Sequence, residues 1–314
     1  MPNKATVTTK KYPEKPITMI VPFSAGGGLD LIARAMEKFA PKYLGQPITI
    51  INKPGGAGTI GWNELAASNP DGYTLAITAT DILLPSLYGP TKYDYQTAIQ
   101  PLAQITSQPF IMVVQADQPW QTLDDVIAYA KTHPGQLKFG HGGVGAITHV
   151  VGEMFAHDAG ITLESVPFRG ASESTTALLG GHVQIVFTTS AVIQEYVKDG
   201  MLKALAVTGE QRLTDPLFAQ IPTFKEHGLN IQLDHWYGIA APKELPADVK
   251  ANLAAGFKTL FADPEFKTSM KNMGMRIKYL GPTESQQKWL TDSQELSTAI
   301  QETGVLEQIS AQKK

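Results

Sequence analysis

The chain contains no cysteine. That removes disulfides, thiol nucleophiles and thiolate metal sites from consideration. It also lacks any run approaching the ~20 consecutive apolar residues that cross a bilayer. Charge of neither sign is in excess: 26 Lys and Arg stand against 29 Asp and Glu, for a formal net charge of −3. Binding to nucleic acid usually needs a basic face, and none is present. The basic residues are scattered, so no segment reads as a membrane-surface patch. Two catalytic signatures are missing as well, the phosphate loop G-x-x-x-x-G-K-[ST] and the nucleophile elbow G-x-S-x-G. Residues 1–11 are polar and lysine-bearing with no apolar h-region, so no signal peptide is expected there. Composition alone leaves open a cytoplasmic protein and an exported one whose signal has been removed.

What is present is a globular balance, with 43% hydrophobic and 18% charged residues. A length of 314 residues suits two lobes better than one core. Along the chain, strands are expected at 17–23, 48–51 and 73–78, with helices at 31–43 and 62–67 between them. This β-α-β-α-β order points to a parallel sheet covered by helices. After an apolar strand at 110–114 the pattern restarts near residue 118. It runs through a helix at 123–132, a strand at 137–140, a helix at 146–157 and a strand at 163–168. A helix at 172–179, a strand at 182–187, a helix at 191–198 and a strand at 204–207 complete the second unit. A strand at 236–241 then leads into a mostly helical tail, with a short strand at 276–280. The expected fold is α/β with two lobes, the first formed by 12–117 and 236–314 and the second by 118–235.

Each half contains a strand, a glycine-rich turn and a helix. In the first the turn is Ser24-Ala25-Gly26-Gly27-Gly28-Leu29-Asp30, and in the second it is His141-Gly142-Gly143-Val144-Gly145. A helix start leaves about four N–H groups unpaired and carries roughly half a positive charge. Glycine lets a ligand approach the main chain, so such a unit suits a phosphate or a carboxylate. One unit per lobe implies a cleft that grips an anion from both sides. For one turn alone, a tight strand-to-helix connection is the plainer reading, and two in matching places favour function. The hydroxyls of Ser24, Thr78, Thr80 and Thr148 lie at or beyond strand ends, where open α/β sheets bind ligands.

The rival reading is a dinucleotide-dependent enzyme. Gly140 to Gly145 match G-x-G-x-x-G, with Glu164 about 20 residues on. Glu164 opens the next strand, however, whereas a ribose-binding acid should close it. His149, Glu153 and His157 fall four apart on one helix, but no third-ligand cluster accompanies them, and a solvated face is the plainer reading. Arg169, before Gly170 and Ala171 at another helix start, is either a carboxylate clamp or a surface arginine. Asp30 reads as an acid interacting with the helix dipole. Trp236 either covers a ligand or fills the lobe interface.

Several segments resemble the substrate-binding proteins of tripartite tricarboxylate transporters, the TctC or Bug family. They are Tyr12-Pro13 with Pro16, the stretch from Val21-Pro22-Phe23-Ser24 to Asp30, Asn52-Lys53-Pro54-Gly55-Gly56-Ala57-Gly58 and Pro70-Asp71-Gly72-Tyr73-Thr74-Leu75. Later come Val166-Pro167-Phe168-Arg169-Gly170, Ile221-Pro222-Thr223 with Glu226 and Gly228, and Trp236-Tyr237-Gly238 with Ala241-Pro242. The resemblance spans about residues 12–290. It implies a two-lobed Venus-flytrap protein of the periplasmic-binding type, type II-like, with crossover strands and the ligand between the lobes. It implies delivery of a carboxylate to membrane permease subunits without catalysis or cofactor. It also implies a periplasmic protein whose signal peptide has been cleaved; a monomer is expected, and a sensory module is the other use of such a fold.

In that family the loops matching Phe23, Ser24, Ala25, Gly26, Gly27 and Gly28, and 141–148 with His141, Gly142, Gly143, Gly145, Ala146 and Thr148, hold the ligand. They act through amides, hydroxyls and water. Two departures stand out. Phe168-Arg169-Gly170 replaces a common Tyr-Lys-Gly. Thr188 stands where many members carry an acid that receives an amino group. The second departure disfavours an amino-acid ligand and favours a plain mono- or dicarboxylate. Calorimetry in which aspartate or glutamate binds more tightly than succinate would overturn that expectation.

Overall fold

The computed structural model describes residues 12–302 and 305–312. The polar stretch 1–11 lies outside the described residues, as do 303–304 and 313–314 at the end of the expected first lobe. The strands are β1 (Ile17–Val21), β2 (Ile48–Asn52), β3 (Thr74–Ala79), β4 (Ile99–Pro109), β5 (Ile111–Gln115) and β6 (Lys138–His141). They continue as β7 (Glu164–Pro167), β8 (Ile185–Thr188), β9 (Leu202–Val207), β10 (Asp234–Pro242) and β11 (Ile277–Leu280). They form two sheets, ordered β11-β4-β10-β3-β1-β2 and β7-β6-β8-β5-β9.

In the first sheet β1 runs parallel to β2 and β3, and β10 lies antiparallel to both β3 and β4. In the second, β6 runs parallel to β7 and β8, whereas β5 is antiparallel to β8 and β9. Both sheets are therefore mixed rather than purely parallel. β1 reads as a continuous apolar run because helices cover both of its faces, and Ile17, Met19, Ile20 and Val21 are fully buried.

Sheet membership departs from a division at 117/118. β5 precedes that point yet pairs wholly within the second sheet, and β10 begins in the first sheet at Asp234. The polar turn around Pro119 looks like a boundary in sequence, but the first crossing is made by strand, with only Phe110 between β4 and β5. On this basis we propose lobes of 12–109 with 234–312, and 111–233. Thr208 ties the two crossings together. Its hydroxyl accepts the Phe110 N–H at 2.9 Å and donates to the Leu233 carbonyl at 2.6 Å, while its own N–H donates to the Phe110 carbonyl.

β4 has no counterpart among the expected strands. Pro101 and Pro109 and the glutamines at 100, 104 and 108 disguise it, since proline within a strand argues against one. It is nonetheless almost wholly buried between β10 and β11.

One apolar cluster runs through both lobes, and a smaller one covers the far face of the second sheet around Val113, Leu178, Val186, Ile193 and Phe218. The last helix, Val305–Gln312, packs against the second-lobe helix Ile147–Ala159 and against the first-lobe turn Pro85–Tyr88. The helix Ile147–Ala159 approaches its sheet closely at Gly152, where a methyl group would collide with the buried Phe139 ring. Alanine is the better helix former by about 1 kcal/mol, but overpacking typically costs about 1–3 kcal/mol. Gly152→Ala should therefore lower unfolding stability in urea, and an unchanged or raised midpoint would show that the helix has room to shift.

Candidate functional site

The first lobe brings the turn after β1 to the cleft. The helix Gly28–Glu37 starts there with Gly27 as its N-cap and no side-chain cap. Asp30 faces away from the cleft. Its carboxylate accepts the Gly26 N–H at 2.9 Å, Arg34 Nε at 2.8 Å and Asn52 Nδ2 at 2.9 Å. Burial raises its pKa, but the bonds from Arg34, Gly26 and Asn52 outweigh that and hold it below the usual range. The acid expected to act on the dipole thus folds the loop on which the helix start rests. Gly28 is the point of closest approach, because a methyl group there would run into the Tyr237 hydroxyl.

The second lobe supplies the helix Ile147–Ala159, whose N-cap Ala146 has no side chain able to cap it. The cap comes from the other lobe. Asp81, in the 3-10 turn Thr80–Leu83 after β3, accepts the Ile147 N–H at 2.9 Å. Three further bonds join the lobes close by. The Ser24 N–H donates to the Arg169 carbonyl at 3.2 Å, the Ser24 and Ser172 hydroxyls lie 2.9 Å apart, and Ser172 Oγ donates to the Ala25 carbonyl at 2.7 Å.

Between these elements lies a cavity of about 40 Å³. Of the residues expected at the site, Phe23, Gly27, Gly28, Gly142, Thr148, Ala171 and Thr188 line it. Leu29, Asp81, Phe110, Ile147, Thr189, His235 and Tyr237 line it too, and sequence reasoning did not single them out. Thr188 Oγ1 and His235 Nδ1 are buried there without a hydrogen-bond partner. Burial pulls the His235 pKa down to about 3, so its ring is neutral. Burial pushes Asp81 up to about 6, against the bond from Ile147. His235 Nε2 lies 3.9 Å from Asp81 Oδ2.

The remaining expected residues lie elsewhere. Trp236 stacks on Trp289 with ring centres 5.8 Å apart and donates to Asp292 at 2.7 Å. Strand alternation explains this, since β10 sends His235 and Tyr237 to the cleft and Trp236 to the opposite face. Arg169 is exposed and paired with Glu173 at 3.1 Å. With Phe168 and Gly143 it lines a separate outer groove of about 840 Å³. Thr80 accepts the Trp236 N–H at 3.1 Å, Thr78 is buried outside the cavity, and Gly170 packs against Ser24.

His141 is fully buried behind its turn. Its Nδ1 lies 3.0 Å from the Gly143 carbonyl and its Nε2 lies 2.8 Å from Ser165 Oγ. It stacks on His149 at 4.1 Å. Burial and the neighbouring His149 pull its pKa down to about 3.

The dinucleotide reading loses its donors. The Gly142 N–H donates to Thr148 Oγ1, that of Gly145 to His149 Nδ1 and that of Ile147 to Asp81. Glu164 pairs with Lys138 at 3.3 Å on an exposed edge. The three-residue helix face separates as well: His149 is buried beside Glu153, and His157 is half exposed beside Asp158. The premise that Thr188 leaves the cleft without an acid also falls, because Asp81 supplies one from the other lobe.

Residues 32–305 match the model of the tripartite tricarboxylate transporter family receptor. The chain belongs to this family. A Cupriavidus necator relative, the UPF0065 protein in the gbd 5' region, is 33% identical over 276 residues, covering 88% of this chain and 84% of its own. The structure of the periplasmic binding protein BugD superposes with a TM-score of 0.89 at 29% identity, over 94% of this chain and 99% of that one. The malate-bound MatC protein of Rhodopseudomonas palustris superposes with a TM-score of 0.81 at 25% identity, over 95% of this chain and all of that one (100%). The TctC/Bug receptor fold therefore describes the chain, and among its described residues no helix is long and apolar enough to cross a membrane.

The buried groups of this receptor have opposite effects on its acid stability. Near pH 5 folded Asp81 holds a proton that the unfolded chain has lost, so its contribution falls as pH rises from about 4 to 6. His141 and His235 are neutral when folded down to about pH 3 and protonated when unfolded below about 6.5, so their contribution is lost as pH falls through that window. Asp81→Asn removes only the first effect. Its unfolding stability should rise more steeply between pH 4 and 6 than that of the parent, by nearly one proton, or about 1.4 kcal/mol per pH unit. Parallel profiles in urea titrations across that range would refute the assignment.

Proposed function

We propose that this chain is a periplasmic solute-binding protein that captures a small organic mono- or dicarboxylate between its lobes. It then presents the ligand to the membrane permease subunits of a tripartite transporter, acting as a monomer and without catalysis. The observation that carries this reading is the helix start at Gly28. It has no cap of its own and opens on a cavity lined by two buried, unpartnered polar atoms, Thr188 Oγ1 of the opposing lobe and His235 Nδ1. A carboxylate oxygen is the natural acceptor for such N–H groups, and the dipole favours its charge. Family membership supports delivery to a transporter, and the malate in MatC supports a carboxylate as the ligand class.

Lobe closure follows from the same geometry. A ligand held first by one helix start gains further donors only when the second lobe arrives. It therefore favours the closed form by its differential affinity alone.

Thermal unfolding of ligand-stripped protein against mono-, di- and tricarboxylates, aromatic acids, acidic amino acids and NAD(H) tests the reading. A ligand at about 100 times its Kd should stabilise by about 2.7 kcal/mol and raise the midpoint. A response to NAD(H) alone would replace this function with the enzyme. Gly28→Ala, which forces the helix start away from Tyr237, should weaken the responding carboxylate by about tenfold or more. Unchanged affinity would place the ligand elsewhere.

A further inference from the structure

We propose that Asp81 fills the anion seat of the second lobe with the protein's own carboxylate. The cleft then selects a ligand with one carboxylate and a neutral or hydrogen-bond-donating far end, and rejects a second carboxylate. This rests on the carboxylate-binding reading above and narrows it.

The helix starts at Gly28, Ile147 and Ala171 line the cavity without a side-chain cap of their own, and the first two differ in occupancy. Among the described residues no hydrogen bond engages the N–H groups of Gly28 and Leu29, and both residues line the cavity. At the other start the Ile147 N–H is already taken by Asp81 Oδ1 at 2.9 Å. The first seat is open and the second is held across the lobe interface by a side chain that is 4% exposed.

Beyond the Ile147 N–H and the helix start behind it, no charged side chain among the described residues of the cavity offsets the charge of Asp81. Among the described residues no lysine or arginine lines the cavity. His235, from β10, presents a neutral ring at 3.9 Å, and Tyr237 and Tyr88 bring phenols whose ionisation burial suppresses. A ligand carboxylate entering beside Asp81 would meet a like charge in a water-poor space. That repulsion amounts to one to two powers of ten in affinity, roughly, for groups about 5 Å apart. A hydroxyl, amide or ammonium in the same place would instead donate to Asp81 Oδ2, and a hydroxyl or amide could also engage the unpartnered His235 Nδ1 and Thr188 Oγ1. A buried site built around such an acceptor discriminates strongly against analogues that leave it unpaired.

Calorimetric titration at pH 8 with length-matched pairs decides the matter: succinate against succinamate, and glutarate against 5-hydroxypentanoate. The parent protein should bind the better monoanion at least about tenfold more tightly than its dianionic partner. Asp81→Asn keeps an oxygen acceptor for the Ile147 N–H and removes the charge. It should raise dicarboxylate affinity about tenfold and weaken the monoanion, whose donor end loses the Oδ2 acceptor, so that the preference for the monoanion disappears. Asp81→Ser repeats the charge removal with a smaller side chain, should Asn disturb folding. Dicarboxylates binding the parent as tightly as monoanions would overturn the proposal and leave carboxylate capture standing. An equal loss for both classes in Asp81→Asn would also overturn it, by making Asp81 a structural clasp only. Failure of every carboxylate to bind the parent would remove the functional reading, and this inference with it.

Discussion

Three helices begin at the interlobe cleft with residues that cannot cap them, Gly27, Ala146 and Gly170. An uncapped helix start leaves N–H groups that must find an acceptor or remain in contact with water. Much of the site follows from that requirement. The turn carrying Gly27 is held open by Asp30, which draws Gly26, Arg34 and Asn52 onto itself and so leaves the following amides pointing outward. The turn before Ala146 is stiffened from behind by the buried His141–His149 stack. The first lobe completes the helix start at Ile147 with Asp81, and the start at Gly28 is left for something that arrives.

Much of this was legible in the sequence. The strand–glycine–helix units could be read because their turn residues and apolar runs are local features, and ten of the eleven strands among the described residues fall close to expectation. β4 was hidden because its prolines and glutamines deny the alternation that a strand normally shows, yet it is buried by β10 and β11, which lie far away in the chain. Within the site, Phe23, Gly28 and Thr148 could be found from the turn motifs. His235 and Tyr237 could not, because a motif containing Trp236 draws attention to the residue that faces away. Counting by twos along β10 would have exposed them, once the facing of any one residue was known. Asp81 follows a strand end, where α/β proteins place ligands. Its importance lies in a hydrogen bond to a residue 66 positions away, and no local pattern encodes that.

Polar side chains that looked like ligand contacts were often spent on architecture. Thr80 ties β10 to the end of β3, Arg169 pairs with Glu173 on the surface, and His141 braces its own turn. The groups left over are main-chain amides, a phenol, a neutral imidazole and hydroxyls. A site of this kind reads charge through oriented dipoles rather than through a fixed cation. Such dipoles cost little to reorganise when a ligand arrives, and they are sensitive to any real charge placed among them.

That sensitivity also bears on closure. The bonds that join the lobes beside the cavity are a main-chain pair, two serine hydroxyls and one helix cap. Neutral bonds of this kind contribute about 0.5–1.5 kcal/mol each, and the charged cap somewhat more. The lobes are joined elsewhere by Ser190 to the Gly274 carbonyl at 2.8 Å, Gln194 to the Asn272 carbonyl at 2.8 Å and the packing of the helix Val305–Gln312 on the helix Ile147–Ala159, so the contact between lobes is only partly polar. The hinge is the firmer part. Thr208 binds both crossing segments while fully buried, and Phe110 stacks on His235 with ring centres 4.7 Å apart. A ring of the cleft wall, His235, therefore rests directly on a crossing segment. The residues that define the cavity come from both lobes and from the crossing at Phe110, so occupancy of the seat and the contact between the lobes draw on the same residues.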